Sequence, residues 1–206
     1  MEFDMISWWT QSDLLEKERR RLAHDFDLAR QILVKICNFT SRRVVFIPGN
    51  HDFWLSQYIS QRPELHELIN QDKMLEFKKL GVESVKYGEV FRFGKAAFTH
   101  YIARRGAGKQ TKYHSAIMAD YYGSSIFYGH FHSNQSFTRV TYDSKPNIAQ
   151  AIGCLCELNP AWLRNSPNAW VHQILFMEFD KAGHFSWYAP ILIDGRFIYN
   201  GKEFGK

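Results

Sequence analysis

The sequence predicts a mixed α/β fold, and three observations predict it. A long amphipathic stretch lies near the start, short β-branched runs ending in glycine or proline fill the middle, and alternating strands and tight turns close the chain. The period of the apolar residues and the glycine and proline punctuation support each reading.

Taken in order, residues 12–38 read as one helix capped by Ser12 or Asp13. Leu15, Leu22, Phe26, Leu33 and Ile36 fall near one face, and the charge run 16–21, EKERRR, covers another as a solvated surface. Residues 43–47 read as a buried strand stopped by Pro48-Gly49. Helical segments follow over 53–80, interrupted near Pro63. Short strands are expected at 82–87, 90–93 and 96–99, a helix at 113–122, and a buried strand in SSIFYG. From about residue 136 the pattern is hairpins, with Asp194-Gly195 as a two-residue turn. No repeat, low-complexity tract or linker interrupts the 206 residues, so 1–206 is expected to be a single domain.

Composition narrows the function classes. A net charge of +5 suits an anionic substrate but falls short of a nucleic-acid-binding signature. No apolar run is long enough to span a bilayer, and the acidic start lacks the basic region of a signal peptide. The three cysteines, Cys37, Cys154 and Cys156, form no Cys-x-x-Cys pair, and an odd count favours a reducing compartment. A cytoplasmic protein is expected. An extended Cys-Leu-Cys places both thiols on one face, where they read as small core residues.

Three polar clusters each follow a strand: Gly-Asn-His-Asp at 49–52, His100 after Phe98-Thr99, and Gly-His-Phe-His at 129–132. In open α/β folds ligands bind outside the carboxyl ends of strands, so three such clusters are expected to converge. Imidazole suits transition metals, and the amide oxygen of Asn50 is a harder donor that also suits manganese or magnesium.

On these motifs, in this order, the chain resembles the calcineurin-like metallophosphoesterases, from the long helix to Gly-His-Phe-His and on into a β-rich tail. The resemblance implies a four-layered α/β/β/α sandwich of two mixed sheets flanked by helices. It implies a metal-dependent phosphoester hydrolase, either a phosphomonoesterase (phosphatase) or a phosphodiesterase; the basic loop 104–114 and the aromatics lean slightly toward a nucleic-acid or nucleotide substrate. The family holds two divalent ions, drawn from Mn, Fe, Zn or Mg. By resemblance Asn50, His100 and His130 would hold one metal and His132 would belong to the other. His51 would protonate or stabilise the leaving oxygen, and Asp52 would orient His51.

The chain also departs from that family. Neither Asp-x-His nor Gly-Asp occurs anywhere in it, although the family carries both before its long helix. The expectation is an N-terminally truncated domain lacking a β-α-β unit, which supports one metal well and catalyses poorly. The alternative is a non-catalytic remnant that binds at most one metal. Asp4 as a replacement bridging carboxylate is the lesser reading.

The basic loop 104–114 fails as a nucleotide-binding motif, because Gly108-Lys109 is followed by Gln110. Arg104, Arg105, Lys109 and Lys112 could still face a substrate. His114 reads as structural, and the aromatics Trp8, Trp9 and those of 159–170 read as core, with ring stacking as the alternative. His24, His66, His172 and His184 are assigned no role.

Overall fold

The computed structural model describes residues 22–100, 112–142, 145–160, 163–164 and 166–205. Asp4, Trp8, Trp9, the expected cap at Ser12 or Asp13, Leu15 and the charge run 16–21 lie outside the described residues. The chain divides into two compact units, Met1–Tyr87 and Gly88–Lys206, described in turn. The class is mixed α/β.

In the first unit, α1 (Leu22–Phe39) leads to strand β1 (Val44–Phe46), α2 (Asn50–Ser60), a single 3-10 turn (Pro63–Leu65), α3 (Gln71–Met74), α4 (Phe77–Leu80) and strand β2 (Val82–Ser84). The break falls where expected: α2 stops at Ser60, and Pro63, which has no N–H to donate, starts the next turn. The core joins Phe26, Ala29 and Leu33 of α1 to Leu55, Leu75, Phe77 and Val82. The apolar face of α1 differs from the expectation at its end. Ile36 is 45% exposed and Cys37 packs on the core instead. At roughly 100° per residue, Ile36 lies about 50° to one side of the centre of the stripe set by Phe26, Ala29 and Leu33 and Cys37 about 50° to the other, so periodicity alone does not choose between them.

Strand β1, expected to be buried, is half-buried along its length. It runs parallel to β2 in register Val44↔Val82 through Phe46↔Ser84, and among the described residues this sheet has only those two strands.

The second unit is built on a five-stranded mixed sheet. Its strands are β3 (Phe91–Phe93), β4 (Ala96–Thr99), β5 (Ile126–Tyr128), β6 (Gln135–Arg139) and β7 (Asn147–Ala151), in the order β3-β4-β5-β7-β6. β4, β5 and β7 are mutually parallel, and the two edge strands are antiparallel to their neighbours. Helix α5 (His114–Tyr122) lays Met118 and Ala119 on Ala97, Ile126, Tyr128, Ala149 and Ala151. Side chains alternate across a strand, so Phe127, between Ile126 and Tyr128, points the other way. There it meets Phe185 and Trp187, at ring distances of 5.5 and 6.1 Å, on a hairpin of β8 (Phe176–Phe179) and β9 (Phe185–Tyr188). The unit is therefore layered helix, sheet, hairpin. Glycine fixes one junction. The Lys95 N–H donates to the Gly183 carbonyl at 2.8 Å, and a Cβ on Gly94 would stand 2.7 Å from that same oxygen.

The chain ends in β10 (Arg196–Tyr199) and β11 (Lys202–Gly205), joined through Asn200-Gly201. Asn200 and Gly201 both have positive φ, 48° and 72°, as a type I′ turn requires. Asp194-Gly195, the turn read from sequence, has the same signs and closes the Ile193–Arg196 bridge. Tyr199 stacks on Phe176 at 4.3 Å, tying this ribbon to β8.

Leu55 is 1% exposed at the centre of the first unit's core. Leu55→Ala is expected to lower unfolding free energy by about 2–5 kcal/mol, the cost of lost transfer energy plus a cavity. Urea denaturation of the two proteins measures it.

Candidate metal centre

In the first unit the Gly-Asn-His-Asp motif is the first turn of α2, where Gly49 is the N-cap and Asn50 the first helical residue. The turn is held by Asp52, which is 4% exposed. One of its oxygens accepts the Gly49 N–H at 2.8 Å and the other accepts the Gln71 amide at 2.6 Å. Burial pushes the Asp52 carboxyl above its ordinary range, and those two donors oppose the shift. Its hydrogen bonds thus cap the helix, while its influence on His51 is electrostatic only. The His51 ring lies against Trp54, with centroids 4.5 Å apart.

In the second unit, register places chemistry at one sheet edge. Thr99, Tyr128 and Ala151 are level across β4, β5 and β7. Beyond them follow His100, then Gly129-His130, then Ile152-Gly153-Cys154. The His130 Nδ1 and His100 Nε2 are 3.2 Å apart, with the rings edge to face. Two nitrogens bound about 2.1 Å from one ion, at angles of roughly 90–110°, are separated by about 3.0–3.4 Å, so the pair fits a shared cation. Both histidines of the motif adopt positive φ, 79° at His130 and 58° at His132. Left-handed backbone is uncommon outside glycine and concentrates at sites that need a particular side-chain direction.

His132 turns away from that pair to a different set of partners. It forms a group with Cys154 and Cys156 whose donor atoms all lie within 4.8 Å of one another. This corrects the reading of the two cysteines as core residues. Both are half-buried, and Cys156 Sγ stands 3.8 Å from His132 Nδ1. The alternation of Cys-Leu-Cys was legible in the sequence, with Leu155 70% exposed on the opposite side. That the thiols would face His132 was not. Trp170, read as core, packs edge-on to the His132 ring at 4.2 Å. His172, assigned no role, lies 2.7 Å from the Cys156 carbonyl through Nε2.

His114 is structural, as read. It is buried, stacks on Phe131 at 4.1 Å, and its two nitrogens meet the Tyr128 hydroxyl at 2.6 Å and the Ser133 hydroxyl at 3.1 Å. Burial pushes its pKa down to about 4, and the nearby His130 adds to the shift. Arg104, Arg105 and Lys109 lie outside the described residues. Lys112 is exposed beside the Tyr113 ring, and its carbonyl accepts from Gln135.

The buried His114 sets a pH dependence. Unfolded, the ring takes a proton near its ordinary value of about 6.5. Below that value the unfolded state binds more protons, so stability is full above about 6.5 and falls as pH drops toward about 4. His114→Gln, which carries no titrating ring, should flatten that decline while lowering stability at neutral pH, as read by urea denaturation across the window.

No family model, no curated protein and no solved structure matches this chain.

Proposed function

We propose that the chain is a metal-dependent phosphoester hydrolase, acting on a phosphomonoester or phosphodiester, with a nucleotide or nucleic acid as the favoured substrate. One observation supports the reading above the others: His100 and His130 stand 3.2 Å apart at the carboxyl ends of adjacent parallel strands. The two rings share a hydrogen bond at that spacing, and the same spacing suits one cation held by both nitrogens in its place. Their donor set fits a divalent transition metal such as manganese, iron or zinc. When bound, such an ion supplies Lewis-acid charge to phosphoryl oxygens and lowers the pKa of an attacking water.

The chain's own groups do the rest. Thr99, Tyr128 and Ala151 are all buried and hold the strand ends level beneath the pair. The resemblance gives the proton-donor role to His51, which is carried on the capped first turn of α2. Asn50, next to it, is the amide-oxygen donor of the same motif. Asp52 positions both by holding the Gly49 N–H. No described helix is long and apolar enough to cross a membrane.

The test is hydrolysis of bis-p-nitrophenyl phosphate with added manganese. His100→Ala and His130→Ala should abolish metal-stimulated turnover, and His51→Ala should cut it by about 10²–10⁴-fold, the usual contribution of a positioned acid. Equal rates in all four proteins would replace the hydrolase with a protein that only binds.

A further inference from the structure

We propose that His132, Cys154 and Cys156 form a second metal site, a thiolate site for zinc, independent of the His100–His130 pair and of the hydrolase reading. The three donors lie within 4.8 Å of one another, and none of them is exposed. For ligands about 2.05 and 2.3 Å from a tetrahedral ion, nitrogen and sulfur are about 3.6 Å apart. The observed separation of His132 Nδ1 from Cys156 Sγ is 3.8 Å, so an ion fits with shifts of a few tenths of an ångström.

The backbone around these donors is stitched tightly. The Cys154 N–H donates to the Val171 carbonyl at 2.9 Å, and the Gln173 N–H returns to the Cys154 carbonyl at 3.1 Å. The Val171 N–H donates to the His132 carbonyl at 2.9 Å, so one short segment holds both sides of the group. The His172 ring steadies the Cys156 carbonyl, and the Gly153 N–H is held by the Gln173 side chain at 2.8 Å. Gly153 is required for this approach: a Cβ there would sit 2.3 Å from the Val171 oxygen. On the histidine side, the left-handed backbone at His132 directs its ring toward the thiols, and Trp170 shields its flank.

The chemistry selects the ion. Two thiolates and an imidazole are a soft set, suited to zinc and poorly matched to manganese or magnesium. Three protein ligands leave one tetrahedral position for water or another small donor. The consequence reaches His132 itself. The resemblance assigns it alone to the family's second cation, whereas here it has two sulfur neighbours, and the pair of sites becomes one imidazole-bound ion and one thiolate-bound ion.

Cobalt(II) is the spectroscopic probe, added to the reduced full-length chain. One equivalent should produce a thiolate-to-cobalt charge-transfer absorption in the near ultraviolet, and zinc should displace it. The absorption should vanish in the Cys154→Ser/Cys156→Ser double variant and persist in His100→Ala and His130→Ala, even where those lose hydrolysis. A cobalt spectrum without a thiolate band, or a band undiminished in the double variant, overturns the site. Wild-type protein gives a second readout that needs no folded variant. Zinc should protect Cys154 and Cys156 from iodoacetamide and leave Cys37 unprotected, as counted by peptide mass. Unchanged alkylation of Cys154 and Cys156 overturns the site equally. Loss of turnover with the band retained would count against the hydrolase alone.

Discussion

Parallel pairing of β4, β5 and β7, in a register that levels Thr99, Tyr128 and Ala151, is the constraint on which the second unit depends. A shift of one residue would turn every side chain of a strand to the opposite face. Ile126 and Tyr128 would leave α5, Phe127 would leave the β8–β9 hairpin, and both apolar layers would be lost together. Burial on both faces therefore locks the register. The locked register then delivers His100, His130 and Cys154 to one edge of the sheet, one, two and three residues beyond their strand ends. Packing and chemistry are coupled through this alignment.

What the register delivers, local backbone geometry then aims. His130 and His132 both sit in left-handed conformations that cost a non-glycine residue energy, and the surrounding ladder holds them there. The two rings go to different partners, His130 to His100 and His132 to the cysteines. The first unit solves its problem by another device. There the motif opens a helix, and the buried Asp52 carboxylate captures the Gly49 N–H and the Gln71 amide, so that Asn50 and His51 ride on a rigid first turn. The two oxygens of Asp52 are engaged by Gly49 and Gln71 rather than by a hydrogen bond to His51.

Two donor chemistries lie at one sheet edge. The imidazole pair is a borderline set open to several divalent ions, and the imidazole–dithiolate group is a soft one. Their neighbours differ as well. Beside the first stands buried His114, held neutral between Tyr128 and Ser133, which adds no charge near His130. Around the second, Trp170 and the Val171–Gln173 segment close in. The proposed hydrolase needs only the first group; the second extends the metal chemistry of the chain beyond it.

The sequence by itself determined the local elements and most of the chemical vocabulary. Period and punctuation located the helix from Leu22, the break at Pro63, the buried strand Ile126–Tyr128 and the closing hairpins, because a 3.6-residue or two-residue repeat is written in adjacent residues. It also named Asn50, His51, Asp52, His100, His130 and His132, since their spacing is carried by short motifs. Only the tertiary structure decided which of these meet. Cys154 and Cys156 face His132 because Gly153 lets the chain pass close to Val171, a contact made across 18 residues that no local period encodes. Ile36 was misplaced because a stripe of half-occupied positions fixes a helix face only once the partner core is present. Long-range register and close backbone approach are set by packing, so donor partnerships became legible only in three dimensions.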